Sequence, residues 1–306
     1  MKNFFQQLKK HPLFMVCVYA VFLLMPSFIY AKALIADHTS FQKFNQIPAH
    51  WLKRVTEFTI HYAHTSHGDQ VYQGLENLEA HYPIKFSFAR RESNTEGLPP
   101  VEDPPALRMY DGNPLETYIM PEDYWNSENG KARTRTVAGT GKYNFSMWAW
   151  CGQVSGASEA YIQGYLDTLN AFETQYSDMR FIYMTGHLDG SEPADNLHVR
   201  NEQIRNYCIA HNKVLFDFAD IERYDPDGTD YLDLGADDEC RYSGGNWADE
   251  WCSANPGSDL CDPCPCSHSR ALNCNMKARA FWWMMARLAG WNGKPPIVPY
   301  IMLLFE

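Results

Sequence analysis

Apolar, β-branched and aromatic runs alternate along this chain with stretches whose apolar residues recur at helical spacing. Strand-like runs occupy residues 58–63, 145–149, 180–185 and 213–217, and helical patterns occupy 70–81, 158–176, 196–211 and 275–289. The first helical pattern places Val71, Leu75 and Leu78 on one face. Alternation of this kind predicts a mostly parallel sheet with helices on both faces, a three-layer α/β/α sandwich. Ligand sites in such sheets lie beyond the carboxyl ends of the strands. Polar clusters fall there: 64–68 after the first run, 150–152 after the second, 186–189 after the third and 217–220 after the fourth.

Two stretches break the alternation. Residues 93–129 are rich in Pro, Glu, Asp and Asn and read as a long insertion over one edge of the sheet. Residues 224–269 are acidic, carry most of the cysteines and read as a stapled excursion beside the site. A tail, 294–306, follows the last helical pattern; its apolar end, Ile301 to Phe305, is too short to span a membrane.

The first 33 residues belong to a different category. Lys2, Lys9 and Lys10 precede an apolar run, Leu13 to Tyr30, and Ala31-Lys32-Ala33 is a small-residue cleavage signature. The pattern is that of a Sec signal peptide cut after Ala33, which places the protein outside the cytoplasm, secreted or periplasmic. Left uncut, the same run would be a membrane anchor. The remainder, 34–293, is long enough for one α/β domain with a full core. A formal net charge of −11 with scattered basic residues argues against nucleic acid as a partner.

Of nine cysteines, Cys17 lies in the leader. The other eight are Cys151, Cys208, Cys240, Cys252, Cys261, Cys264, Cys266 and Cys274. An even number behind a secretion signal predicts disulfides, with two or three bridges among the six between 240 and 274. A zinc site from Cys261, Cys264, Cys266 and His268 is the competing expectation.

Candidate chemistry begins with His64-Thr65-Ser66-His67-Gly68, where a strand gives way to a helix. A serine there can act as a nucleophile with helix amides facing a developing oxyanion, or it can simply cap the helix. His268, on the loop entering the last helix, is a natural general base for it.

These blocks resemble the SGNH, or GDSL-like, hydrolase superfamily, over a spread from about Phe58 to Trp291. The resemblance implies a flavodoxin-like topology and a Ser-His esterase. Ser66 falls at the family's serine, Gly152 in Trp150-Cys151-Gly152-Gln153 at its second-block glycine, and Thr185-Gly186-His187-Leu188-Asp189 at its third block. Here the first block reads His-Thr-Ser, the third lacks asparagine, and Pro265 stands where Asp would precede His268. The implied catalytic set is Ser66, His268 and Asp262, with Ser66, Gly152 and His187 as the oxyanion hole. The implied activity is hydrolysis of O-acyl esters, with a carbohydrate ester suggested by nine tryptophans and eighteen tyrosines that could stack on sugars. No cofactor is required.

Three further readings compete. The same scaffold without the family's asparagine and Asp-x-x-His could be a non-catalytic ligand- or glycan-binding protein. His61, His64, His67, His187, His198 and Asp189 could supply a metal-dependent hydrolase, although residues three apart on a strand point to opposite faces. Asp225, Asp227 and Asp230 resemble the start of a calcium loop, but position twelve is Ala236, so calcium there would be structural.

Overall fold

The computed structural model describes residues 32–92, 104–114 and 116–295. The leader expectation falls mainly on residues 1–31, and most of the tail on 296–306, both outside the described residues. Among the described residues, no helix is long and apolar enough to cross a membrane.

Seven strands form one sheet: β1 (Leu34–Ala36), β2 (Thr59–His64), β3 (Phe88–Glu92), β4 (Leu107–Asp111), β5 (Phe145–Ala149), β6 (Arg180–Met184) and β7 (Val214–Phe216). Their order is β1-β7-β6-β5-β2-β4-β3, and every pairing in the sheet is parallel. Each residue of β2 and β5 is buried, so these central strands carry continuous rather than alternating burial.

The helices are α1 (His38–Gln42), α2 (Ala49–Val55), α3 (Asp69–His81), α4 (Pro121–Tyr124), α5 (Glu128–Ala138), α6 (Glu159–Gln175), α7 (Asn196–Ala210), α8 (Phe218–Arg223), α9 (Trp247–Ala254) and α10 (Ala271–Leu288). They flank the sheet as a three-layer α/β/α sandwich. Helix α10 packs against α1, α2 and α3, and is buried almost all round, from Leu272 to Ala286. Gly74 permits that approach, because a Cβ there would stand 2.1 Å from the Cys274 carbonyl oxygen.

From β2 the chain winds outward to β3 and β4, then returns across β2 to begin β5, β6 and β7. The winding therefore reverses between β2 and β5. Doubly wound sheets bind ligands at the carboxyl side of such a switch point. Here His64 pairs with Ala149, so the residues following β2 and β5 emerge side by side.

The expected insertion at 93–129 is corrected. Leu107–Asp111 forms β4, hydrogen-bonded between β2 and β3, and Glu128 already opens α5. Its five residues were masked by polar, proline-rich neighbours that dominate the segment's composition. The 224–269 segment contains the antiparallel pair β8 (Arg241–Tyr242) and β9 (Gly245–Asn246), then α9 with Trp247 fully buried.

Two bridges fall between 240 and 274, as expected. Disulfides join Cys252 to Cys261 and Cys266 to Cys274, whereas Cys151, Cys208, Cys240 and Cys264 are free thiols. The zinc reading fails for the same reason, since Cys261 and Cys266 belong to different bridges.

Candidate active site

The turn after β2 is held tightly. A Cβ on Gly68 would lie 2.3 Å from His64 Cβ and 2.8 Å from Ala149 Cβ, and the Tyr62 hydroxyl donates to the Gly68 carbonyl at 2.8 Å. Glycine therefore lets the 3-10 turn Ser66–Gly68 press onto the end of β5. That places Ser66 and His67 against Cys151, two residues beyond β5. Amides at the start of such a turn lack intrahelical partners.

His67 Nδ1 lies 3.0 Å from Cys151 Sγ, and His67 Nε2 donates to Asp238 Oδ2 at 2.8 Å. The His187 ring stacks on His67 at 3.8 Å between centroids and 2° between planes, and one of its nitrogens lies within 4.8 Å of Cys151 Sγ. The His268 ring stacks on His67 at 4.4 Å. Two rings at these separations cannot share a face, so His67 is sandwiched between them. Ser66 Oγ completes the group, 3.7 Å from Cys151 Sγ.

The charges follow from these contacts. Hydrogen bonds from His187 and then His67 hold the Cys151 thiol down to about 4. Burial opposes charge on His67, but its bonds to Asp238 and Cys151 outweigh burial and raise it to about 9. Burial likewise opposes charge on His187, while Cys151 and the Glu222 carboxylate raise it. The other free thiols behave oppositely: burial pushes Cys264 up to about 11 and Cys240 up to about 12, and raises Cys208 as well. Cys151 alone among the four combines exposure with basic neighbours, the setting of reactive thiols.

Surrounding contacts fix the frame. An isolated bridge between Asp189 and Asp237 ties the loop after β6 to the acidic segment, which delivers Asp238 to the rings. Glu222 and Lys277, both fully buried, pair at 2.7 Å, and Glu222 also accepts the Leu188 amide at 2.7 Å. Lys277 donates to Gln70 as well. The 266–269 loop is held to α3 by Gln70 and Gln73, which bond the Ser267 carbonyl, hydroxyl and amide.

The expected site residues are therefore distributed as follows. Ser66, His187 and His268 meet at the switch point, but no hydrogen bond joins Ser66 to His268 among the described residues. Gly152 adjoins Cys151 with open space beside it. Asp262 is not the orienting carboxylate: it pairs with His81 at 3.3 Å, at the far end of α3. Asp238, from the acidic segment, is the carboxylate that reaches the rings, and it bonds His67 rather than His268. An even cysteine number gives no sign that Cys151 is free; its position in a polar cluster at a strand end is the available signal.

The histidine-rich alternative separates likewise. His61 accepts from Ser146 Oγ at 2.8 Å and donates to the Gly112 carbonyl at 3.0 Å, so both ring nitrogens serve the core. His64 is committed to Asp111 and the Thr65 carbonyl. Among the described residues of this set, His67 and His187 alone reach a common point, with Cys151. In the calcium-like loop each carboxylate meets a different protein donor. Asp225 accepts the Asp227 and Thr229 amides, Asp227 accepts Trp251 Nε1, and Asp230 pairs with Arg223.

No family model matches this chain, and neither a curated protein nor a solved structure matches it.

Proposed function

We propose that this chain is an extracytoplasmic acyl hydrolase in which Cys151 is the nucleophile, His67 its acid–base partner and Asp238 the group that orients the imidazole. One observation carries the reading: the chain of contacts from Cys151 Sγ through the His67 ring to Asp238, 3.0 Å on one side and 2.8 Å on the other. A nucleophile bonded to a base, with the base held by a carboxylate, is the arrangement that acyl transfer uses on unrelated folds. Its location at the switch point of a doubly wound sheet, beside an open space at Gly152, gives a substrate access.

The chemistry runs through a thioester. Sulfur attacks the carbonyl carbon of an O-acyl ester, and the π pair moves onto oxygen, where the Ser66 and Gly152 amides receive it. As the C–O bond breaks, the His67 imidazolium protonates the departing alkoxide. His67 then takes a proton from water, which attacks the thioester and releases a carboxylic acid and the Cys151 thiolate. The ring nitrogen facing Asp238 keeps its proton throughout, so the other nitrogen always faces the sulfur.

This reading moves the nucleophile from Ser66 to Cys151 and leaves the ester substrate class intact. It is tested by treating the protein with iodoacetamide, mapping the modified cysteine and following acetyl-ester hydrolysis in parallel. Hydrolysis should fall in step with modification of Cys151. Full turnover after complete modification of Cys151 would reject the assignment.

A further inference from the structure

We propose that Cys151 Sγ, His67 Nδ1 and His187 Nε2 form a binding site for one divalent cation of the zinc type, and that the loaded site is a blocked form of the enzyme. One donor atom from each of the three residues lies within 4.8 Å of the other two. Acyl transfer needs one imidazole, and His67 supplies it; the second imidazole at the sulfur is unexplained by that chemistry.

The outer hydrogen bonds settle which nitrogens face inward. Asp238 accepts from His67 Nε2, and the Leu188 carbonyl accepts from His187 Nδ1 at 2.7 Å. Both acceptors require a proton on the nitrogen they face. In the neutral rings, this leaves His67 Nδ1 and His187 Nε2 with lone pairs free for a ligand; because the rings stack with 2° between planes, one of them must turn for both nitrogens to face a single ion. A carboxylate behind one metal-binding imidazole and a backbone carbonyl behind another is the usual outer shell of such ligands.

The donor set selects the ion. A thiolate and two imidazoles suit zinc and related borderline metals, while magnesium and calcium require oxygen ligands. Tetrahedral zinc, with bonds of about 2.0–2.3 Å, sets neighbouring nitrogen and sulfur donors roughly 3.5 Å apart. The present 3.0 Å between His67 Nδ1 and Cys151 Sγ would thus open slightly on loading. Cys151 enters as the thiolate and the proton on His67 Nδ1 leaves to solvent, so the sulfur lone pair that attacks the ester is held by the metal. Ser66 Oγ or a water would occupy the fourth position.

The blocking consequence rests on the acyl-hydrolase reading, whereas the binding does not. The experiment strips the full chain with a chelator, then adds cobalt or zinc while recording stoichiometry, absorption and acetyl-ester hydrolysis. One equivalent should bind, with a cobalt–thiolate charge-transfer band that is absent in Cys151→Ser and displaced in His187→Gln. Asp238→Asn should weaken binding by about 10–100-fold, as loss of an outer-shell carboxylate does. Hydrolysis should disappear at one equivalent of zinc and return with chelator. No stoichiometric binding, or a thiolate band that survives Cys151→Ser, overturns the site. Activity that rises with zinc overturns the blocking role. Binding at Cys151 in a stripped protein that hydrolyses no ester supports the cation site and defeats the hydrolase reading.

Discussion

His61 shows how one residue shapes the behaviour of the whole fold. It is fully buried on β2, and burial lowers its ring to about 4 from 6.5. The folded state holds it neutral, so the unfolded state binds the extra proton as pH falls. Stability from this residue is complete above pH 6.5 and is lost on descent toward about 4. The loss amounts to about 3 kcal/mol. Urea unfolding between pH 7 and 4 should show that decline in the parent and a shallower one in His61→Gln; equal slopes would contradict it. Lys277 makes a second case. Its ammonium meets Glu222 and Gln70 with no solvent contact, so Lys277→Met strands a buried carboxylate. Such a loss costs about 3–5 kcal/mol, and Lys277→Met/Glu222→Leu should recover much of it. Chemical denaturation of both variants decides this.

At the scale of elements, α3 and α10 are the contact on which the site depends. One presents the turn holding Ser66 and His67, and the other follows the loop holding His268. Gly74→Ala would drive a methyl into the Cys274 carbonyl. Overpacking of this kind costs about 1–3 kcal/mol, and here the obstacle is backbone, which cannot rotate away. Calorimetry should register a clear fall in Tm; an unchanged Tm would mean that the helices are not in close contact. The Cys266–Cys274 bridge closes the loop that leads into α10. Closing so short a loop contributes about 2–3 kcal/mol, and replacing both cysteines with serine should lower Tm by roughly 5–10 °C. Hydrogen exchange should rise first around His268, whose left-handed backbone, φ +59°, depends on its surroundings. Protection that falls uniformly would count against a local role.

At the scale of the molecule, the sequence made some features legible and concealed others. Continuous apolar runs at β2, β5, β6 and β7 marked the parallel sheet, because strands covered on both faces need no alternation. Short strands such as Leu107–Asp111 were hidden by the polar company around them. The site was legible as a region: register between β2 and β5 brings the residues after both strands together, and both stretches read as polar clusters. Its pairings were not legible. Asp238 arrives through a bridge between two loops, which no spacing encodes, and an even cysteine number gives no sign that Cys151 is free. His268 reached the site as expected, yet it stacks on another imidazole rather than bonding the serine.

The central claim is that sulfur, not the neighbouring hydroxyl, attacks the substrate. The measurement that reaches it most directly is acetyl-ester turnover by Cys151→Ala and Ser66→Ala, compared under the same conditions with the chelated parent protein. Losing a nucleophile should reduce kcat by roughly 10³-fold or more in Cys151→Ala. Ser66→Ala keeps its backbone amide and gives up only a long contact to sulfur, so its loss should be about tenfold. The reverse ranking, with Cys151→Ala active and Ser66→Ala inert, would contradict the account.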